Sequence, residues 1–211
     1  MNKPETPTFT NSMALGPPLY SEAARAIFAG TGDQSPAAFS QIMAKGLHSD
    51  ACRWMAAHFP LRHAVWWGLL CLEDTGAGPA QGATTKNLIL RWITDPSDTN
   101  RDQIHSQTWE NVPASPVDYL AKAVAWSGPT MSAPHLPPVK ADPQLPGVLV
   151  AAAIETAAGS HVSLDLEKAL HRFIQLGLLV DTGKIHWSQP TANADISAND
   201  KTQPQGLFPL N

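Results

Sequence analysis

The segment Leu61–Asp74, LRHAVWWGLLCLED, has only Arg62 and His63 as polar residues before Glu73. A helix that is apolar nearly all round must be packed on several sides, which places this one in the middle of a bundle. Adjacent side chains on a helix project about 100° apart, so Trp66 and Trp67 address two different neighbouring helices. The strongest apolar runs, Ala64–Leu72 and Val148–Ile154, are far short of the roughly 20 residues that span a bilayer. No membrane partner is expected.

The remaining pattern is also helical. Ser35-Pro36 opens an apolar period through Phe39, Ile42 and Met43 that stops at Gly46, the order of N-cap, first-turn proline and terminal glycine that punctuates a helix. A helix follows over Ser49–Phe59, and Pro60 ends it and starts the central one. After the Gly-rich loop Thr75–Gly82 come helices over Thr84–Ile93, Pro96–Trp109 and Pro116–Ser127. Gly128–Pro146 contains six prolines and reads as an extended, polyproline-like strap over the domain. Pro146–Ala158 is a buried Ala/Val-rich helix, and Asp165–Leu176 an amphipathic one broken by Gly177. Leu178–Trp187 is read as a small hairpin around Asp181-Thr182-Gly183. The expected fold is all-α: a single bundle-like domain of seven or eight helices over 21–187, between a Pro-rich arm (1–20) and a polar tail (188–211).

Charge and cysteine usage narrow the class of partner. Charged residues make up 15% of the chain, with a net charge of −4, against about 25% in a typical soluble domain. Tight non-specific binding to nucleic acid needs a cationic excess, so a nucleic-acid partner is not favoured. The opening MNKPETPTFTNSM is not a signal peptide. Cys52 and Cys71 both sit in apolar helical patterns, the position of buried thiols in a reducing compartment. The expected location is the cytoplasm.

Several residue groupings have the composition of a reactive site but the wrong spacing. Asp-Thr-Gly occurs at Asp74–Gly76 and Asp181–Gly183, yet the strands that hold such paired aspartates in proteases are missing, so both read as turns. Cys52, His58, His63 and Cys71 lack the close pairings of a zinc site. Gly76–Gly82 has neither the lysine of a P-loop nor the dinucleotide glycine spacing, and Gly159-Ser160-His161 is no nucleophile elbow. Ala133–Lys140, APHLPPVK, places its lysine one position too far from Pro137 for an SH3-type ligand and is read as a rigid cover. No catalytic residue, metal or cofactor is expected. The C-terminal third also has the order of a winged helix-turn-helix, with Lys168, His171, Arg172 and Gln175 as the groove face, although Asp165 and Glu167 oppose phosphate there.

The stretch Ala57–Trp67, AHFPLRHAVWW, with Trp126-Ser127-Gly128 and the prolines of 134–138, resembles an uncharacterised bacterial family with an Arg-x-Ala-Val-Trp-Trp motif. The resemblance covers residues 35–180 and implies a helical protein. Where the family commonly has an acidic residue after the arginine, this chain has His63. Members are often encoded near type VI secretion components. That implies an accessory role, as adaptor, chaperone or loading factor for an effector or spike protein, and implies no catalytic residues. The candidate partner-contacting residues are Arg62, His63, Trp66, Trp67 and Trp126. Arg62 and Trp66, at i and i+4, have the spacing of a cation–π pair. An immunity protein that binds a toxin and a winged-helix-like DNA-binding protein are the alternatives.

Overall fold

In the computed structural model, which describes residues 19–76, 82–132 and 136–187, the chain forms nine helices and no strand among those residues. They are α1 (Glu22–Thr31), α2 (Pro36–Ala44), α3 (His48–His58), α4 (Leu61–Asp74), α5 (Ala83–Thr94), α6 (Asp98–Thr108), α7 (Pro116–Ala125), α8 (Leu145–Gly159) and α9 (Leu166–Asp181). The arm before Leu19, the tail after Trp187, the middle of the Gly-rich loop and residues 133–135 of the strap lie outside the described residues.

The helix starts follow from side-chain chemistry. The first backbone N–H groups of a helix have no partner within it. Ser21, Ser35, Ser97, Ser115 and Asp165 each accept one of them with a side-chain oxygen. At α7 the cap is reciprocal: Ser115 accepts from the Asp118 N–H, and the Asp118 carboxylate accepts from the Ser115 N–H. Two such bonds fix the entry angle of α7.

Helix α4 packs against α5, α7, α8 and α9, the several-sided burial its composition requires. Helix α8 is the second central element, touching α3, α4, α7 and α9. It is built largely from alanine, valine and glycine, so its neighbours come close. A Cβ on Gly147 would stand 2.9 Å from the Ala56 carbonyl oxygen of α3. No described helix is long and apolar enough to cross a membrane.

Three expectations need correction. The C-terminal hairpin is absent: α9 continues through Gly177 and Leu178 to Asp181. Gly177 is not a break but a contact point, since a Cβ there would meet the Trp67 ring at 2.8 Å. The Asp-Thr-Gly triplet is instead the helix stop. Gly183 takes the left-handed φ of 68°, its N–H donates to Val180 O, and the Lys184 N–H donates to Leu179 O. That pair of bonds is a Schellman cap. Second, the strap is not one extended run. Its two legs close on each other, Met131 N–H to Val139 O at 2.8 Å and Val139 N–H to Thr130 Oγ1 and Ser132 Oγ at 3.0 Å, and His105 on α6 holds the Ser132 carbonyl. Third, α1 is an additional helix, seated through Ala24 and Ile27, with Tyr20 buried before it against Phe28.

Candidate functional site

The five candidate residues divide among three environments. Trp67 is wholly buried. Its indole N–H donates to the Phe173 carbonyl at 2.6 Å, its ring packs beside Phe59, and Gly177 makes room for it. Trp67 is therefore a core anchor between α4 and α9, with no surface to offer. Trp66 is half-buried at the core's edge, and its indole N–H is enclosed without a hydrogen-bond partner.

Arg62 and His63 meet at a second place. The expected Arg62–Trp66 pair is replaced by a longer-range arrangement. The last carbonyls of a helix lack internal partners, and the Arg62 guanidinium donates to two of them on α5, Ile93 O and Thr94 O, the latter at 3.0 Å. Its planar face then lies 4.2 Å from the centre of the Trp187 ring, a cation–π contact. The His63 ring centre is 5.5 Å from the same indole. Burial holds His63 below the usual histidine range while the Asp181 charge opposes it. Asp181 in turn is pushed up by burial, with His63 opposing.

Trp126, at the end of α7, is the third. Beside it the Lys122 ammonium lies 5.2 Å from the ring centre and donates to the carbonyls of Thr108 and Trp109, capping α6. Burial lowers the Lys122 pKa, with Asp118 opposing. Trp126 also lines a cavity of about 360 Å³. The other walls are the α3–α4 junction from Ala56 to Leu61, the segment 140–144 descending from the strap, and Pro146 and Gly147 of α8. Phe59, Pro60, Pro143 and Pro146 give it an aromatic and proline lining, with Lys140 and Asp142 of opposite charge on one wall.

His58 is part of this lining. Its ring stacks on Trp54, centres 4.0 Å apart and 19° from parallel, and Nδ1 is 2.7 Å from the Trp54 carbonyl. A carbonyl only accepts, so Nδ1 carries the proton and Nε2 is the acceptor nitrogen of a neutral ring. Burial lowers the pKa, the Trp54 hydrogen bond opposing it. His58 is singled out in the sequence reading only as a dismissed zinc ligand, and the 140–144 wall appears only as part of the strap. Pro60 was the available signal, because a proline between two apolar helices leaves a corner that a third segment has to fill.

The other groupings have structural explanations. Asp74 holds Arg172 through two hydrogen bonds, one of 2.6 Å, which raises the Arg172 pKa. Arg172 lies nine residues before Asp181 on α9, so the two Asp-Thr-Gly aspartates stand roughly 14 Å apart along it. That is too far to share a proton. Ser160 Oγ donates to Ala157 O, and His161 Nδ1 accepts from the N–H groups of Ser163 and Leu164, so both shape a turn. Cys52 and Cys71 are buried, unbridged thiols whose pKa values burial pushes up. No cluster of three or more metal-ligating side chains occurs among the described residues. The winged-helix reading loses its wing with the hairpin, and Lys168 and Arg172 on its groove face are paired with Asp165 and Asp74.

A family model described as a family of unknown function, DUF6931, matches residues 38–180, nearly the span of the motif resemblance. No curated protein and no solved structure matches the chain.

Proposed function

The chain belongs to this family of unknown function, and on that premise we propose that it is a non-catalytic protein-interaction module of bacterial type VI secretion. In this reading it works in the cytoplasm as an adaptor or chaperone-like factor for an effector or spike component. The observation that carries the interaction role is the cavity at the α3–α4 corner, walled by Trp126, Phe59, Pro60 and Pro143. Its volume suits a few side chains of a partner segment, and aromatic and proline walls suit an extended one.

The edge formed by Arg62, His63 and Trp187 adjoins this corner, because Pro60 and Leu61 belong to the cavity wall. A partner seated in the cavity thus has a cationic and aromatic rim beside it, the residue types that dominate binding energy at interfaces. The secretion context comes from the motif resemblance. The test is affinity capture from the native host with the tagged full chain as bait. Recovery of a type VI effector, spike or sheath component supports the reading. Capture that repeatedly recovers no secretion component, or recovers a toxin neutralised by the chain, overturns the adaptor role.

A further inference from the structure

The two charges on the cavity wall are not equivalent. Asp142 is engaged at the start of α8: its carboxylate accepts the Gln144 N–H at 2.8 Å, and its carbonyl accepts the Leu145 N–H at 3.0 Å. A carboxylate there is partly neutralised by the positive end of the helix. Lys140, two residues earlier on the same wall, has no hydrogen bond or ion pair among the described residues. The backbone groups around the cavity are also unevenly satisfied. The end of α7 is closed, because the Ser127 N–H and hydroxyl both donate to the Val124 carbonyl, at 3.2 and 2.7 Å. The α3–α4 corner is open. Residue 60 is a proline and has no N–H to offer the Ala56 carbonyl one turn back, and Gly147, without a side chain, leaves that carbonyl uncovered. The first N–H groups of α4 have no side-chain cap, and Leu61 belongs to the cavity wall.

We infer that this cavity receives the C-terminal end of a partner chain, with an apolar last residue and a free carboxylate. The inference rests on the reading of the cavity as the partner site. Each part of a chain end has a counterpart on the walls. The carboxylate is complementary to the unpaired Lys140 ammonium and to the Leu61 N–H, at a helix start whose partial charge is positive. The last peptide N–H of the partner is matched by the uncovered Ala56 carbonyl. The last side chain is matched by Trp126, Phe59 and Pro143. Capture of a terminal carboxylate by backbone N–H groups is a recurring mode of peptide recognition. An acidic side chain within a continuous segment carries the same charge, but its chain must leave the cavity on both sides. A volume of about 360 Å³ lies at the small end of the range for ligand sites, which favours a chain that stops there.

The test uses random heptapeptides displayed with free C-termini and selected on the immobilised full chain. Enriched sequences are synthesised as the free acid and as the C-terminal amide, and both are titrated by fluorescence polarisation. The expected result is enrichment of an apolar last residue and binding about tenfold or more weaker for the amide, the loss of one charged hydrogen bond. Lys140→Gln, a substitution at an exposed position, is expected to weaken the acid and bring the two forms close together. Trp126→Ala is expected to weaken both. Circular dichroism checks that each variant is folded. Absence of any enriched sequence, equal binding of acid and amide, dependence on an internal Asp or Glu instead of the chain end, or an acid-to-amide ratio unchanged in Lys140→Gln overturns the inference. No secretion component enters this experiment. Successful capture from the host together with equal binding of acid and amide would therefore keep the adaptor role and remove only the recognition of a chain end.

Discussion

Arg62 stacks its guanidinium 4.2 Å from the centre of the Trp187 ring while donating to the carbonyls of Ile93 and Thr94. One side chain thus joins the start of α4, the end of α5 and the segment after α9. Charged hydrogen bonds are worth about 1.5–3 kcal/mol, and a partly exposed cation–π contact about 0.5–1 kcal/mol. Arg62→Ala is expected to lower the urea midpoint by an amount equivalent to about 2–3 kcal/mol. Arg62→Lys recovers less than half of this, because an ammonium has neither the planar face nor the fork that reaches two carbonyls. Full recovery by lysine would show that charge alone matters there.

Gly177→Ala separates two roles for that glycine. As a helix breaker it would be improved by alanine, by about 1 kcal/mol. The added Cβ instead meets the buried Trp67 ring at 2.8 Å, and overpacking of this kind costs about 1–3 kcal/mol. Chemical denaturation is expected to show net destabilisation, with near-ultraviolet circular dichroism altered by the displaced indole. A more stable variant would refute the contact role.

The pH dependence follows from His58 and His63, both held by burial below the usual histidine range. The folded protein then binds fewer protons at these sites than the unfolded chain, so stability rises with pH through this window. The histidine contribution is full above the unfolded value of about 6.5 and is lost as pH falls below it. Asp181, pushed up by burial, has the opposite sign: its ionised form costs stability, and acid relieves that cost. Urea midpoints between pH 7.5 and 5.5 are expected to fall for the wild type, and less steeply for His63→Gln. An unchanged slope in the variant would exclude His63 as a contributor.

Thiol chemistry checks the burial of the α3–α4–α8 core. Cys52 and Cys71 are fully buried, and burial disfavours the reactive thiolate. A soluble disulfide reagent is expected to titrate neither thiol in the native protein over minutes and both immediately in denaturant. Rapid native labelling of either would show that this core opens.

What was legible in the sequence was local. Ser35-Pro36 marked the start of α2, and the nearly unbroken apolar surface of Leu61–Asp74 marked the central helix, because caps and amphipathicity are set within a few residues. Arg62 was matched to Trp66 by helical spacing, whereas its real partners are 31, 32 and 125 residues away in sequence. Gly177 looked like a stop because helix propensity contains no information about Trp67 on another helix. Helix α1 escaped notice because its core face is only Ala24, Ile27 and the partly buried Phe28, a single short stripe with no second repeat to extend it. The cavity was hidden because its walls come from three separated stretches, 56–61, 126–128 and 140–147; the first two carry residues of the motif resemblance, but nothing in their spacing shows that the third folds against them.

The most direct measurement is the affinity of the captured secretion component for the wild-type chain and for Trp126→Ala, by calorimetric titration, with circular dichroism and the urea midpoint confirming that the variant folds. Central aromatic residues at interfaces contribute about 2 kcal/mol or more. A loss of roughly 30-fold or greater in Trp126→Ala is therefore expected, while Val112→Ala, at an exposed position outside the cavity lining, leaves affinity unchanged. Equal affinity for wild type and Trp126→Ala would contradict the assignment of this cavity as the binding site.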